Sequence, residues 1–103
     1  MSEIDLNSLE VVNNTEANRF EIQLDGGDIA LIQYMINGPN IIMHHTEVPP
    51  AYEGQGIAGK LAKYALDWAK NEGYKVNPLC PYIKSYIKRH TEYQDNAFGF
   101  PAG

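Results

Sequence analysis

Val48-Pro49-Pro50-Ala51-Tyr52-Glu53-Gly54-Gln55-Gly56-Ile57-Ala58-Gly59-Lys60-Leu61 is the stretch on which the fold of this chain turns. The two prolines end the strand pattern before them, and the glycines lead into a segment with helical spacing. A helix N-terminus carries about four N–H groups without intrahelical partners, and its dipole favours negative charge. Glycines let the backbone curl so that an anion can approach without meeting a Cβ. The segment is therefore built like an anion cradle, with Lys60 one turn in as an added point charge. It is not a Walker loop, because Leu61 follows Gly59-Lys60 where a hydroxyl would hold magnesium. It does not open a doubly wound sheet either, because an antiparallel meander precedes it. As a bare string it also fits a tight turn.

Upstream the pattern is that of strands. Phe20, Ile22 and Leu24 alternate with Arg19, Glu21 and Gln23, and Asp25-Gly26-Gly27-Asp28 signals a hairpin. Ile29 to Ile36 is a strand-length apolar run, Asn37-Gly38-Pro39-Asn40 a turn, and Ile41 to Val48 a further strand. Leu9 to Asn13 reads as a short strand before these. Alternation on the strand entering the loop predicts Met43, His45 and Glu47 on one face and His44, Thr46 and Val48 on the other.

Downstream the spacing predicts a helix from about Gln55 to Glu72, with Ile57, Leu61, Tyr64, Ala65 and Trp68 on one face and Gly73 as its stop. Lys75 to Cys80 reads as a short strand whose Pro78 marks an edge or a splayed end. Pro81 suits the first position of a second helix reaching about His90. The tail after Tyr93 reads as irregular. The expectation is an α/β (α+β) domain over 1–103, with a core at about 9–95. A meander is followed by a helical crossover to a parallel strand and a last helix.

Bulk properties are consistent with this. The 103 residues suffice for one domain, burying roughly 60–70% of the unfolded surface. Hydrophobic residues make up 44%, which argues against disorder. No apolar run approaches the roughly 18 residues of a membrane span. The acidic start Met1-Ser2-Glu3-Ile4-Asp5 has no signal-peptide core, so a cytoplasmic location is the default expectation. Residues 1–53 carry nine acids and one base, a net −8, while residues 54–103 carry seven bases and four acids, a net +3. The acidic whole argues against nucleic-acid binding, while the basic half suits a small phosphorylated ligand.

The loop, with His45-Thr46-Glu47-Val48 before it and Pro78-Leu79-Cys80-Pro81 after the helix, resembles the GCN5-related N-acetyltransferases, and more closely a short subfamily of about a hundred residues. The signature Gln/Arg-x-x-Gly-x-Gly/Ala falls on Glu53, Gly56 and Ala58, with Glu53 departing from it. The resemblance covers roughly residues 19–95. It implies a sheet splayed between the strands ending at Val48 and near Cys80, with the pantetheine arm of acetyl-coenzyme A in the gap. Val48 and the loop from Gln55 through Gly56, Ile57, Ala58 and Gly59 to Lys60 would hold the cofactor. It also implies transfer of an acetyl group to an amine acceptor, with no metal required. The alternative is an acetyl-coenzyme-A-binding module or partner subunit with little turnover. The helical segment that usually shapes the acceptor site is absent between the first two strands, so the acceptor's identity is open, as is the oligomeric state.

Four residues are candidates for chemistry. Cys80 precedes Pro81 and stands at a helix N-terminus, which lowers a thiol's pKa. It would accept the acetyl group or line the thiol pocket, although free cysteines are most often small buried hydrophobes. His45 and Glu47 share a strand face and suit the base that deprotonates the amine, though a solvated face explains each as well. Tyr86 resembles the tyrosine that protonates the departing thiolate, with a seam aromatic as the plainer reading. A metal set of His44, His45, Glu47 and His90 is weak, because adjacent strand histidines point apart. A thiol redox role for Cys80 is weaker still, because the chain holds no second cysteine.

Overall fold

The computed structural model describes residues 5–100; the Met1-Ser2-Glu3-Ile4 stretch read for targeting lies outside them. Five strands form one sheet in sequence order: β1 (Val12–Asn14), β2 (Arg19–Gln23), β3 (Ile29–Asn37), β4 (Asn40–Glu47) and β5 (Lys75–Pro78). The first four pair antiparallel as a meander, and β5 joins β4 in parallel. The crossover is α1 (Ile57–Asn71), and α2 (Pro81–Arg89) follows β5.

Local chemistry accounts for these boundaries. Gly38 adopts φ +59° between Asn37 and Asn40, the left-handed conformation that a two-residue hairpin turn requires. Gly73, at φ +83°, lets its own N–H and that of Tyr74 bond back to Lys70 and Ala69, which ends α1. On α1, Ile57, Leu61, Ala62, Ala65, Leu66 and Ala69 are buried, and the three alanines allow close approach to the sheet. The core lies between the inward sheet face (Phe20, Ile22, Ala30, Ile32, Tyr34, Ile41, Met43, Val76) and the two helices. Phe20 anchors it, packing on Tyr34, Tyr64 and Trp68 with ring centroids 4.9–5.9 Å apart. Burying such side chains stabilises the fold by about 1.5–3 kcal/mol each.

Two readings of the sequence need correction. The tail does not run irregularly from Tyr93. Thr91–Asn96 forms 3-10 turns, Tyr93 is buried, and Ala97 bridges to Val76 while the Phe98 N–H donates to the Val76 carbonyl. The outer edge of β5 is thus partly covered. The simple alternation along β4 also fails. The β3–β4 register runs Tyr34↔Met43 and then Gln33↔His45, so His44 is an extra residue in a β-bulge. Thr46 therefore pairs with buried Ile32 and shares the inward face with Met43, while His45 and Glu47 face outward opposite Gln33 and Leu31.

Candidate active site

The bulge and a proline open the sheet at one place. β4 and β5 stay paired from Asn40↔Lys75 to Met43↔Pro78. Beyond that, β4 continues to Glu47 while β5 ends, and only the Cys80 N–H returns, donating to the Met43 carbonyl at 3.0 Å. A bulge bends and twists its strand, and a proline has no N–H to extend a ladder. Both act at the point of separation.

The loop closes this splay from the side. Pro50–Tyr52 makes one 3-10 turn, and Gly54 and Gly56 then adopt φ +80° and +87°. Gly56 is the N-cap of α1 and brings no side chain to its N–H groups. The first-turn amides of α1 have no intrahelical partners. A cleft of about 380 Å³ results, lined by Thr46 of β4, Val48 just past its end, Tyr52–Gly54, the start of α1 at Gly56–Gly59, and Tyr82 of α2. A Cβ at Gly54 would meet no atom within 4 Å, so the cradle is open there. Backbone amides at one end and apolar Val48, Ile57 and Ala58 beside them suit a pyrophosphate carrying an extended arm.

Of the residues expected to hold the cofactor, Val48, Gly56, Ile57, Ala58 and Gly59 line this cleft. Gln55 stands between the two left-handed glycines. Lys60 borders a different groove, with Leu9 and Tyr64, and its Nζ donates to the Leu6 carbonyl at 2.6 Å. Glu53, the departure from the family signature, lies in the cleft itself.

Cys80 is buried as the N-cap of α2, and its Sγ donates to Thr46 Oγ1 at 3.2 Å across the splay. Thr46 in turn lines the cleft, a role that strand alternation read without the bulge does not disclose. Outward-facing His45 and Glu47 form an exposed pair, His45 Nε2 to Glu47 Oε1 at 3.1 Å. Tyr86 sits apart from the cleft, stacked on His90 at 3.9 Å and near Tyr93. Burial, with Tyr82 nearby, pushes its phenol up. Besides Tyr52 of the loop, the tyrosine in the cleft from α2 is Tyr82, one turn earlier, and burial raises its phenol too, with Arg89 opposing and Cys80 adding. Its signal in the sequence is its place beside Pro81 in the first turn of α2, on the side of the cysteine. Among the described residues, no group of three or more His, Cys, Asp or Glu is placed to hold a metal ion.

An α/β domain whose glycine loop opens a helix beside a splayed parallel strand pair has the fold of a GCN5-like N-acetyltransferase. The chain belongs to the GCN5-related N-acetyltransferase family, whose model matches residues 19–96. It is 39% identical over 84 residues to protein NATD1 of Gallus gallus, covering 80% of this chain and 76% of that protein. Protein NATD1 of Homo sapiens matches at the same identity, over 80% of this chain and 74% of its own length. The solution structure of a GCN5-like protein from Staphylococcus aureus superposes with a TM-score of 0.72 at 28% identity, covering 93% of this chain and 94% of that one.

Proposed function

We propose that this protein binds acetyl-coenzyme A in the β4–β5 cleft and transfers the acetyl group to an amine. One observation carries the reading: the glycine loop, the uncapped start of α1 and Thr46, which accepts from buried Cys80, all line a single cleft in the splay. The first-turn amides of α1 would hold the pyrophosphate, and Val48 and Ile57 would flank the pantetheine arm. Acetyl-coenzyme A supplies an activated acyl group as a thioester. Cys80, bonded to the cleft-lining Thr46, would hold the acetyl group before the amine takes it. Tyr82, rather than Tyr86, lines the cleft and would keep a proton for the Cys80 thiolate released when the amine takes the acetyl group. Glu47 would orient the His45 ring as the base for the acceptor amine on the outward side of β4.

Titrating acetyl-coenzyme A into labelled protein tests the binding. Amide shifts are expected at Gln55–Lys60 and around Cys80, and silence at both would end the proposal. Intact mass after incubation, with Cys80→Ala beside it, tests the covalent step. An unmodified thiol with a fully active alanine variant would leave direct attack by the amine.

A second reading is a binding module with little turnover. β1 and β2 are joined by only the short turn through Thr15–Asn18, so no helix covers the acceptor side between them. Release of coenzyme A across a panel of amines separates the two, because a module binds tightly and turns over none.

A further inference from the structure

Thr46 stands between the buried thiol and the cleft. Its Oγ1 accepts from Cys80 Sγ at 3.2 Å, and the same side chain lines the cleft wall. Cys80 is only 5% exposed, so bulk water has little access to its proton. A threonine hydroxyl both donates and accepts. Its β-branch on a strand restricts χ1 and holds the oxygen in place. The bulge at His44 precedes Thr46 at the splay, where β4 has left β5.

We propose that Thr46 is the proton-relay residue for acyl transfer to Cys80, an inference that rests on the covalent reading above. As the bond from Cys80 Sγ to the acyl carbon forms, the thiol proton passes to Thr46 Oγ1. Thr46 gives its own hydroxyl proton to the sulfur that leaves when the acyl carbon–sulfur bond of the thioester breaks. One thioester and one thiol become another thioester and another thiol, so no oxidant or outside proton is needed. Of the titratable groups around the relay, Tyr82 of α2 and Tyr52 and Glu53 of the loop share the cleft. His45 and Glu47 face the other side of β4, and α1 presents only Ile57, Ala58 and Gly59 there. From β5, Pro78 carries no titratable group.

The full-length protein is incubated with acetyl-coenzyme A, and acetyl-Cys80 is followed by intact mass from pH 6 to 9. Thr46→Val keeps the shape and removes the hydroxyl. Its acylation is expected to fall about a hundredfold at pH 7, the low end of what positioned proton transfer supplies. The gap should narrow as pH rises and hydroxide takes over the proton transfer from Thr46. Thr46→Ser should restore most of the rate. Each variant is compared at an acetyl-coenzyme-A concentration that saturates it by its own calorimetric titration, so that a change in the cleft wall that Thr46 lines is not read as a change in rate. A Thr46→Val protein with the wild-type rate and pH profile overturns the relay, as does a serine variant as slow as the valine one. Wild type that binds acetyl-coenzyme A yet carries no acetyl-Cys80 overturns the covalent reading itself, and the relay with it.

Discussion

At Gly56 the backbone turns through φ +87°, and a Cβ there would stand 2.9 Å from Leu6 Cδ1. The second contact ends in a flexible side-chain tip, so it gives way at small cost. The first does not, because left-handed backbone penalises any L side chain by about 1–2 kcal/mol. Gly56→Ala is expected to lower the unfolding midpoint by about 5–10 °C, measured by circular dichroism, since 1 kcal/mol shifts a domain of this size by about 4–8 °C. Gly54→Ala, at φ +80° with open space around its Cβ, should cost a similar amount without touching Leu6. Asp67 makes a different kind of claim. Tyr93 Oη donates to its Oδ1 at 2.7 Å and Lys63 Nζ to its Oδ2 at 3.0 Å. Burial tends to raise this carboxyl, but the two hydrogen bonds and the lysine charges outweigh it and hold the pKa below its usual value. A carboxyl depressed on folding stabilises above its unfolded pKa, about 3.9, and loses that contribution as pH falls through the lower folded value. Tyr93→Phe should cost about 1–2 kcal/mol at pH 7 by urea unfolding. The gap to wild type should begin to narrow below about pH 4 and close as pH falls through the depressed folded value of Asp67. A gap that persists at pH 2 would assign the loss to packing instead.

His44 shows how much one backbone irregularity decides at the scale of an element. Without the bulge β4 has no local cause to bend, and Thr46 still faces inward because deletion restores plain alternation after Met43. Deleting His44 is therefore expected to leave a folded domain of similar stability with β4 running straighter beside β5. The cleft should narrow, and affinity for acetyl-coenzyme A by calorimetry should fall at least about tenfold, or 1.4 kcal/mol. Retained affinity would place the origin of the splay in Pro78 alone. The same element marks the boundary of what the sequence discloses. The meander, the glycine loop and the α1 crossover are legible because turn residues and hydrophobic periods are local signals. The bulge is not, since an extra residue within a strand leaves no compositional mark, and plain alternation therefore puts Thr46 on the wrong face. Tyr82 and Tyr86 are one turn apart on α2, and only the position of the cleft tells them apart. The partner of Lys60 is a carbonyl 54 residues away, beyond any local pattern.

For the whole molecule, the family match stops short of the groups that fasten the site. The matched stretch is residues 19–96, yet Leu6 packs at Gly56 and its carbonyl holds Lys60 on the first turn of α1. Asn13 Oδ1 accepts from Tyr34 Oη at 2.7 Å, pinning β1 to the aromatic core. At the other end, Ala97 bridges to Val76, and the Phe98 N–H donates to the Val76 carbonyl while its ring lies 4.6 Å from Lys75 Nζ. Both flanks thus brace the cleft, one behind the loop and the other along β5. A chain cut to residues 19–96 loses these hydrogen bonds, at about 1 kcal/mol each, along with the packing of Leu6, Leu9, Val11 and Phe100 on the core. Against the total of about 5–15 kcal/mol for a domain, that loss is large. The trimmed chain is expected to be less stable than residues 1–103 by about 4 kcal/mol or more in urea, with a smaller dependence on denaturant because it buries less surface. Saturating acetyl-coenzyme A at 100 times its dissociation constant would return only about 2.7 kcal/mol, so the ligand alone should not restore the wild-type midpoint. Equal midpoints for the two chains would mean that the matched stretch braces its own cleft and that the flanks are passengers.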